Sequence, residues 1–233
     1  MVDDTSDNGD PSNGNGNADD RVGGAPLLDP HDRFPTGFFD RMDPGDDAAF
    51  YASERFVTHI DDAAIAAVGE LYRTLGLRGR VLDIMSSWIS HFLDAPEELV
   101  VLGMNERELR ANPSASMAVV HDLNLDARLP FPDNRFDAVT CCVSVDYLIR
   151  PIDVLADAAR VVRPGGLVVC TFSNRCFPTK AIRGWLSVTE AMRRDAVATY
   201  FALTGAYGPP EQRRCTPSDS PGDPLDAVWA AVR

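Results

Sequence analysis

Gly79-Arg80-Val81-Leu82-Asp83-Ile84-Met85-Ser86-Ser87-Trp88 decides how the chain is read. Val81, Leu82 and Ile84 form a short apolar run with β-branched residues, bounded by glycine on one side and serines on the other, which reads as a buried strand over Arg80 to Ile84. Working outward, the same signature recurs at Leu99 to Gly103, Met117 to His121, Phe136 to Val143 and Gly166 to Phe172. Helical patterns separate most of these runs, at Ser87–Leu93, Glu106–Ala111 and Ile152–Val162 after Pro151. Strands that are apolar nearly throughout, alternating with helices, belong to a parallel sheet covered on both faces. Past Phe177 a longer helical region runs to about Thr204, and Gln212–Thr216 and Ala227–Val232 pair as a terminal hairpin. The expected fold is therefore α/β: a doubly wound, mostly parallel, seven-stranded Rossmann-like sheet with helices on both faces and a C-terminal β-hairpin.

Upstream, apolar residues recur at helical spacing from Asp46 to Ile60 and again from Asp61 to Leu77, with Asp61 and Asp62 placed to cap the second helix and Gly76 to stop it. Residues 1–24 are Asp, Asn, Gly and Ser with almost nothing apolar; such a segment cannot offset the entropy of ordering and reads as a disordered acidic tail. The division expected is tail over 1–24, an irregular and helical cap over 25–78, and the α/β domain over 79–233.

Charge and cysteine content narrow the function classes. A formal net charge of −13 argues against passive nucleic-acid binding, which needs clustered cations. Lys180 is the only lysine among 22 Lys and Arg, so the composition is of the halophilic type, where high net charge keeps a protein soluble; GC-biased coding plus an acidic tail is the bland alternative. Five cysteines without regular spacing do not describe a disulfide framework, and no run is long and apolar enough to span a bilayer. A soluble, cytoplasmic protein without membrane contact is expected, and no metal site, because no His, Cys or Asp group has ligand spacing. Nothing in the sequence speaks to oligomeric state.

In an open parallel sheet ligands bind beyond the carboxyl ends of the strands, so the residues to inspect are those just after each run. They are Asp83-Ile84-Met85-Ser86-Ser87-Trp88, Met104-Asn105-Glu106, Asp122-Leu123-Asn124, Ser144-Val145-Asp146-Tyr147 and Ser173-Asn174-Arg175. Together with Leu129-Pro130-Phe131-Pro132-Asp133-Asn134-Arg135-Phe136-Asp137-Ala138-Val139 and Arg160-Val161-Val162-Arg163-Pro164-Gly165-Gly166, this order resembles the class I S-adenosylmethionine-dependent methyltransferases, in particular the type 11 branch, over roughly Gly79 to Phe172. The resemblance implies S-adenosyl-L-methionine as cofactor and a methyl acceptor as partner, here of small-molecule type. It also implies roles. Asp83 organises the loop around the methionyl end, Asn105 stands where a ribose-binding carboxylate is usual, with Glu106 adjacent, and Asp122 accepts from the adenine amino group beside the Leu123 N–H. Met85, Ser86, Ser87 and Ser144 complete the expected cofactor-binding set.

One departure stands out. The family's first loop reads Asp-x-Gly-x-Gly-x-Gly, and here Met85, Ser87 and Ile89 occupy the glycine positions. Two readings follow: a divergent branch in which Ser86 and Ser87 hydroxyls replace backbone donors, or a domain that keeps the fold as a binding or regulatory protein without catalysis. The second predicts a pocket filled by Met85 and Trp88. Tyr51-Ala52-Ser53-Glu54-Arg55-Phe56-Val57-Thr58-His59-Ile60-Asp61-Asp62 and Phe172-Ser173-Asn174-Arg175-Cys176-Phe177 resemble a little-characterised branch with the same glycine-poor loop. Tyr51, Arg55 and His59 would share one helical face as a lid, or simply belong to an amphipathic helix. A nicotinamide-dependent dehydrogenase ranks lower, since no G-x-G-x-x-G follows the first strand.

Catalytic residues stay unassigned at this level. Methyl transfer is an in-line displacement that positioning alone can drive, and a base is needed only when the acceptor must lose a proton. His121, ending a strand, reads as packed core, and His91 as pocket or surface. Asp146, Tyr147, Asn174 and Arg175 face the expected acceptor side, with Arg175 suited to an anion.

Overall fold

The structure, a computed structural model, describes residues 28–219 and 221–233; the acidic stretch 1–24 lies outside them. Seven strands form one sheet: β1 (Arg80–Ile84), β2 (Glu98–Gly103), β3 (Met117–Val120), β4 (Phe136–Cys142), β5 (Val162–Phe172), β6 (Glu211–Arg214) and β7 (Asp226–Ala231). Their spatial order is β3-β2-β1-β4-β5-β7-β6. β1 to β5 run parallel, whereas β7 is antiparallel to both β5 and β6, so the reversed terminal hairpin expected from the sequence is present.

Alternation along the strands divides the core in two. Leu82, Ile84, Val100, Leu102, Val139, Cys141, Val168 and Cys170 point to one face, covered by α4 (Pro151–Val161), α5 (Arg183–Ser187) and α6 (Glu190–Thr204). Val81, Leu99, Val101, Ala138 and Val169 point to the other, where Ala64, Val68 and Leu71 of α2 (Asp62–Thr74) cover them. Each such aliphatic side chain removed from water contributes about 1.5–3 kcal/mol, which explains why both faces are clothed. α2 shares its core with β1 and β2, so this helix packs directly on the sheet. Asp61 caps α2, its Oδ1 accepting from the Ala64 N–H at 2.8 Å. Among the described residues no helix is long and apolar enough to cross a membrane, and all five cysteines are unbridged.

One expected helix is absent and another is cut short. Residues 85–97, which carry the chain from β1 to β2, contain no helix, although Trp88, Ile89, Phe92 and Leu93 have helical spacing. Serines in this loop turn their hydroxyls to other partners, the competition that makes serine a poor helix interior residue. The loop is also received by glycines on its neighbours. A Cβ on Gly69 of α2 would lie 2.6 Å from Leu93 Cγ and 2.9 Å from the His91 carbonyl oxygen; one on Gly103 of β2 would lie 2.2 Å from the Ser86 oxygen. The Asp46–Ile60 segment is helical only over α1 (Asp47–Tyr51). Beyond it, the Phe50 carbonyl accepts from Arg55 Nη2 at 2.8 Å and the Arg55 N–H goes to Glu108 Oε1 at 2.6 Å, so the bonds that would propagate the helix are spent elsewhere.

α1 is fastened by a buried polar node. Asp47, 5% exposed, takes both oxygens to Arg41 Nη1 (2.8 and 2.7 Å), one to Lys180 Nζ (3.1 Å) and the other to Asn124 Nδ2 (2.9 Å). Lys180, the single lysine, is 1% exposed and also reaches Asp43 and the Gly45 carbonyl. Asn124 in turn binds the Tyr147 carbonyl and the Ile149 N–H, so the node joins the N-terminal segment to the loops after β3 and β4. Removing the carboxylate leaves the buried Arg41 without its counter-charge and Lys180 with Asp43 alone. Asp47→Ala is expected to cost about 3–5 kcal/mol in chemical denaturation, against under about 1 kcal/mol for removing an exposed partner such as Glu106 of the Arg110 pair.

Candidate functional site

The sheet order runs outward in both directions from the β1–β4 pair, and a cavity of about 320 Å³ opens at the carboxyl ends of β1, β2, β3 and β4 beside that switch point. That size and place suit a small-molecule site, for which about 300–1,000 Å³ is usual.

The floor is set by Asp83, which does not line the cavity itself. Its carboxylate, 4% exposed, accepts from Thr140 Oγ1 of β4 and from Ser86 Oγ and Ser90 Oγ of the loop, each at 2.7 Å. Burial raises its pKa, and the three hydroxyl bonds oppose that without cancelling it. Ser86 therefore spends its hydroxyl proton beneath the pocket, while its N–H donates to the Leu102 carbonyl at 2.8 Å. Met85 turns the chain with φ of +52°, a left-handed conformation that costs a non-glycine residue about 1–2 kcal/mol. Met85, Ser86, Ser87 and Ile89 line the wall, yet the cavity stays open. Trp88 points away from it, with Nε1 on the Val57 carbonyl at 3.0 Å and its ring edge-on to Phe56.

On the next wall stands α3 (Glu106–Ala111). Asn105 caps it, Oδ1 accepting from the N–H groups of Arg107 and Glu108, and Nδ2 donates to the carbonyls of Tyr51 and Ala52. All four hydrogen-bonding positions of this amide are occupied, so it lines the cavity without a spare group for ribose. The carboxylate that faces the cavity from this helix is Glu108, buried to 8% exposure, taking Ser87 Oγ at 2.5 Å and the Arg55 N–H at 2.6 Å. Glu108 was not foreseen; the Asn105-x-x-Glu108 spacing is a helix-capping pattern, but its carboxylate ties the loop after β1 to the segment that carries Arg55 rather than reaching back to the cap.

After β3, Asp122 Oδ1 accepts from the N–H groups of Asn124 (2.8 Å) and Leu125 (3.2 Å), leaving Oδ2 without a partner among the described residues. The Leu123 N–H beside it is likewise unpaired among them. His121 also lines this end and shares its Nε2 with the Asp126 carbonyl at 2.8 Å.

The roof is the strap 52–60. Tyr51, the last residue of α1, gathers over the cavity with Arg55 and His59 of this irregular segment, and the three do not share one helical face. Arg55 lies over the Phe50 ring at 4.6 Å and the Phe177 ring at 5.4 Å, and His59, with φ of +65°, meets Phe177 edge-on at 5.5 Å. Partial desolvation lowers the pKa values of His59 and of His91, which also lines the cavity, so both rings are neutral at pH 7. The far side holds Ser144, Tyr147, Cys142, Cys176 and Arg175. Ser144 Oγ donates to the Cys142 carbonyl at 2.9 Å, the Tyr147 hydroxyl accepts from the Phe177 N–H at 2.9 Å, and Arg175 pairs with Asp223 at 3.0 Å. Asn174 and Asp146 do not line the cavity. No group of three or more His, Cys, Asp or Glu side chains among the described residues is arranged to hold a metal ion.

Residues 84–170 match the family model described as a methyltransferase domain. Over these residues the chain is similar to methyltransferase domains, and the strand order and switch-point cavity agree with that match. A solved S-adenosylmethionine-dependent methyltransferase from Aquifex aeolicus shares the fold at a TM-score of 0.53 and 15% identity, over 74% of this chain and 95% of that one. The ubiquinone/menaquinone biosynthesis C-methyltransferase of Pseudomonas fluorescens is 34% identical over 116 residues, 44% of each chain. The demethylmenaquinone methyltransferase of a Mycobacterium species (strain KMS) is 50% identical over 56 residues, covering 22% of this chain and 24% of that one. The chain thus matches these curated relatives over less than half of their length.

Asp146 offers a test of the packing behind the pocket. It is 2% exposed, its Oδ2 has no partner among the described residues, and burial pushes its pKa up to about 7. Raised above the unfolded value of 3.8, it contributes its full stability below that pH and loses it as pH rises to about 7. Across this window the loss approaches about 1.4 kcal/mol per pH unit. Denaturation at a series of pH values should show this decline in the wild type and a flatter profile for Asp146→Asn, with the variant the more stable at pH 8.

Proposed function

We propose that the chain is a methyltransferase that uses S-adenosyl-L-methionine to methylate a small-molecule acceptor. The observation that carries this reading is the open switch-point cavity, with an Asp122 carboxylate oxygen and the neighbouring Leu123 N–H both unpartnered among the described residues at one end. An adenine ring presents an amino donor next to a ring-nitrogen acceptor, and this acceptor–donor pair complements it. S-adenosyl-L-methionine supplies a methyl group activated on a sulfonium. Met85, Ser86 and Ser87 stand where the methionyl end would lie, with Asp83 shaping their loop from beneath. Glu108 stands closer to the role of ribose carboxylate than Asn105, whose amide is engaged. Ser144 marks the passage toward the acceptor side.

For the acceptor, the relatives named above suggest a hydroxylated aromatic of the quinol type. Phe177, Tyr147 and Tyr51 offer flat apolar surface for such a ring, and Arg55 and Arg175 favour an anionic or oxygen-rich substituent. The opposing reading, a fold kept without its cofactor, draws on the side chains of Met85, Ser87 and Ile89 in the cavity wall, and binding decides between the two. Titration calorimetry with S-adenosylhomocysteine should give measurable affinity for the wild type. Asp122→Asn, which keeps the Oδ1 turn and loses the Oδ2 acceptor, should bind about 10-fold more weakly. No binding by the folded wild type would end the proposal. Transfer of labelled methyl to reduced demethylmenaquinone tests the acceptor class separately.

A further inference from the structure

Two histidines face the cavity without any task in the hydrogen-bond network. Neither the His59 ring nor the His91 ring has a hydrogen-bond or ion-pair partner among the described residues, whereas Ser87, Asn105 and Glu108 on the facing wall are engaged with one another's elements. They come from different elements, His59 from the strap and His91 from the loop after β1. His59 also packs against Phe177 of the segment after β5, so it spans from the cofactor side of the switch point to the acceptor side. Its backbone is held at φ of +65°, a conformation that histidine adopts at a cost and that clusters at functional sites.

Resting on the cofactor reading above, we propose that His59, with His91 beside it, is the proton-accepting site for the methyl acceptor. The acceptor's O–H or activated C–H proton passes to an imidazole nitrogen of His59 as the acceptor's electron pair forms the new bond to methyl carbon. The sulfur–methyl bond breaks with its pair remaining on sulfur, and the imidazolium then releases the proton to water. Charge balances, since a cationic donor becomes a neutral thioether and one proton is set free. A base for this step must be neutral before the reaction. The surroundings meet that requirement. Around His59 the charged groups are Glu108, which favours protonation, and Arg55, which with partial burial disfavours it; around His91, burial and His59 itself disfavour it.

The chain has only four histidines, His31, His59, His91 and His121, so each ring can be followed by NMR and assigned through His59→Asn and His91→Asn. Asparagine tolerates the left-handed conformation and keeps the strap intact. Rings that face the transferring methyl should titrate about half a pH unit lower in the S-adenosylmethionine complex than in the S-adenosylhomocysteine complex, because only the former carries the sulfonium charge. His31, packed against Phe39 outside the cavity, supplies the control resonance. Equal His59 midpoints in the two complexes would overturn the assignment even though cofactor binding stood; absence of both complexes would overturn the cofactor reading and this one with it. Once a quinol is turned over, His59→Asn should lower kcat about 100-fold with S-adenosylhomocysteine affinity retained, and a kcat within about threefold of wild type would also refute it.

Discussion

The Asp83 carboxylate lies under the point where strand order reverses, and the pocket is shaped by what binds to it. Thr140 fixes β4 against β1 through one oxygen, while Ser86 and Ser90 fold the following loop onto the other. From there the bonding continues outward. Asn112 Nδ2 donates to Ser90 Oγ at 3.0 Å and to the Ser87 carbonyl at 3.1 Å; Ser87 Oγ reaches Glu108, and Glu108 receives the strap through the Arg55 N–H. A single buried charge thereby orders a path from the sheet to the roof of the cavity. Such a charge is tolerated because each of its close contacts is a donor, and a half-satisfied version would be worse than an apolar core.

A second buried charge, Asp47, holds the same cavity from the opposite side. Through Arg41, Lys180 and Asn124 it clamps α1 to the loops after β3 and β4, and these loops carry Asp122 and Tyr147. Buried ion pairs rarely add net stability over apolar packing, but they penalise any arrangement that separates them. Here the consequence is positional. The strap has little apolar surface to bury, with Phe56 and Val57 exposed, and its placement depends on hydrogen bonds at both ends.

Strands were legible because burial on both faces demands the apolar runs that mark them, and Arg80–Ile84 and Glu106–Ala111 fall where the sequence puts them. The loop after β1 was not legible, for an instructive reason. Trp88, Ile89, Phe92 and Leu93 carry a helical period, yet the forces that settle the loop are non-local: Asp83 and Asn112 claim its serines, and the glycines that admit it, Gly69 and Gly103, sit on other elements. Position after a strand was enough to bring Met85, Ser86, Ser87, Asn105, Asp122, Leu123 and Ser144 to one cavity. It could not reveal that Asn105 is consumed as cap and tether, nor that Glu108, one turn further on, faces the cavity in its place. Lys180 stood out as a lone lysine, but composition gave no hint that it lies buried against Asp47.

The glycine-poor loop then becomes a rearrangement of where backbone freedom is kept. In the usual loop, glycines let the main chain approach the ligand directly. In this chain Met85 makes the left-handed turn itself, and the freedom has moved to Gly103, which lets the Ser86 carbonyl rest on β2, and to Gly69, which lets residues 91–93 rest on α2. The loop rests closely on both neighbours, and the side chains at positions 85, 87 and 89 line the cavity without filling it. The same loop carries His91 to the cavity wall near His59 of the strap, so two segments separated in sequence bring two imidazoles to one rim.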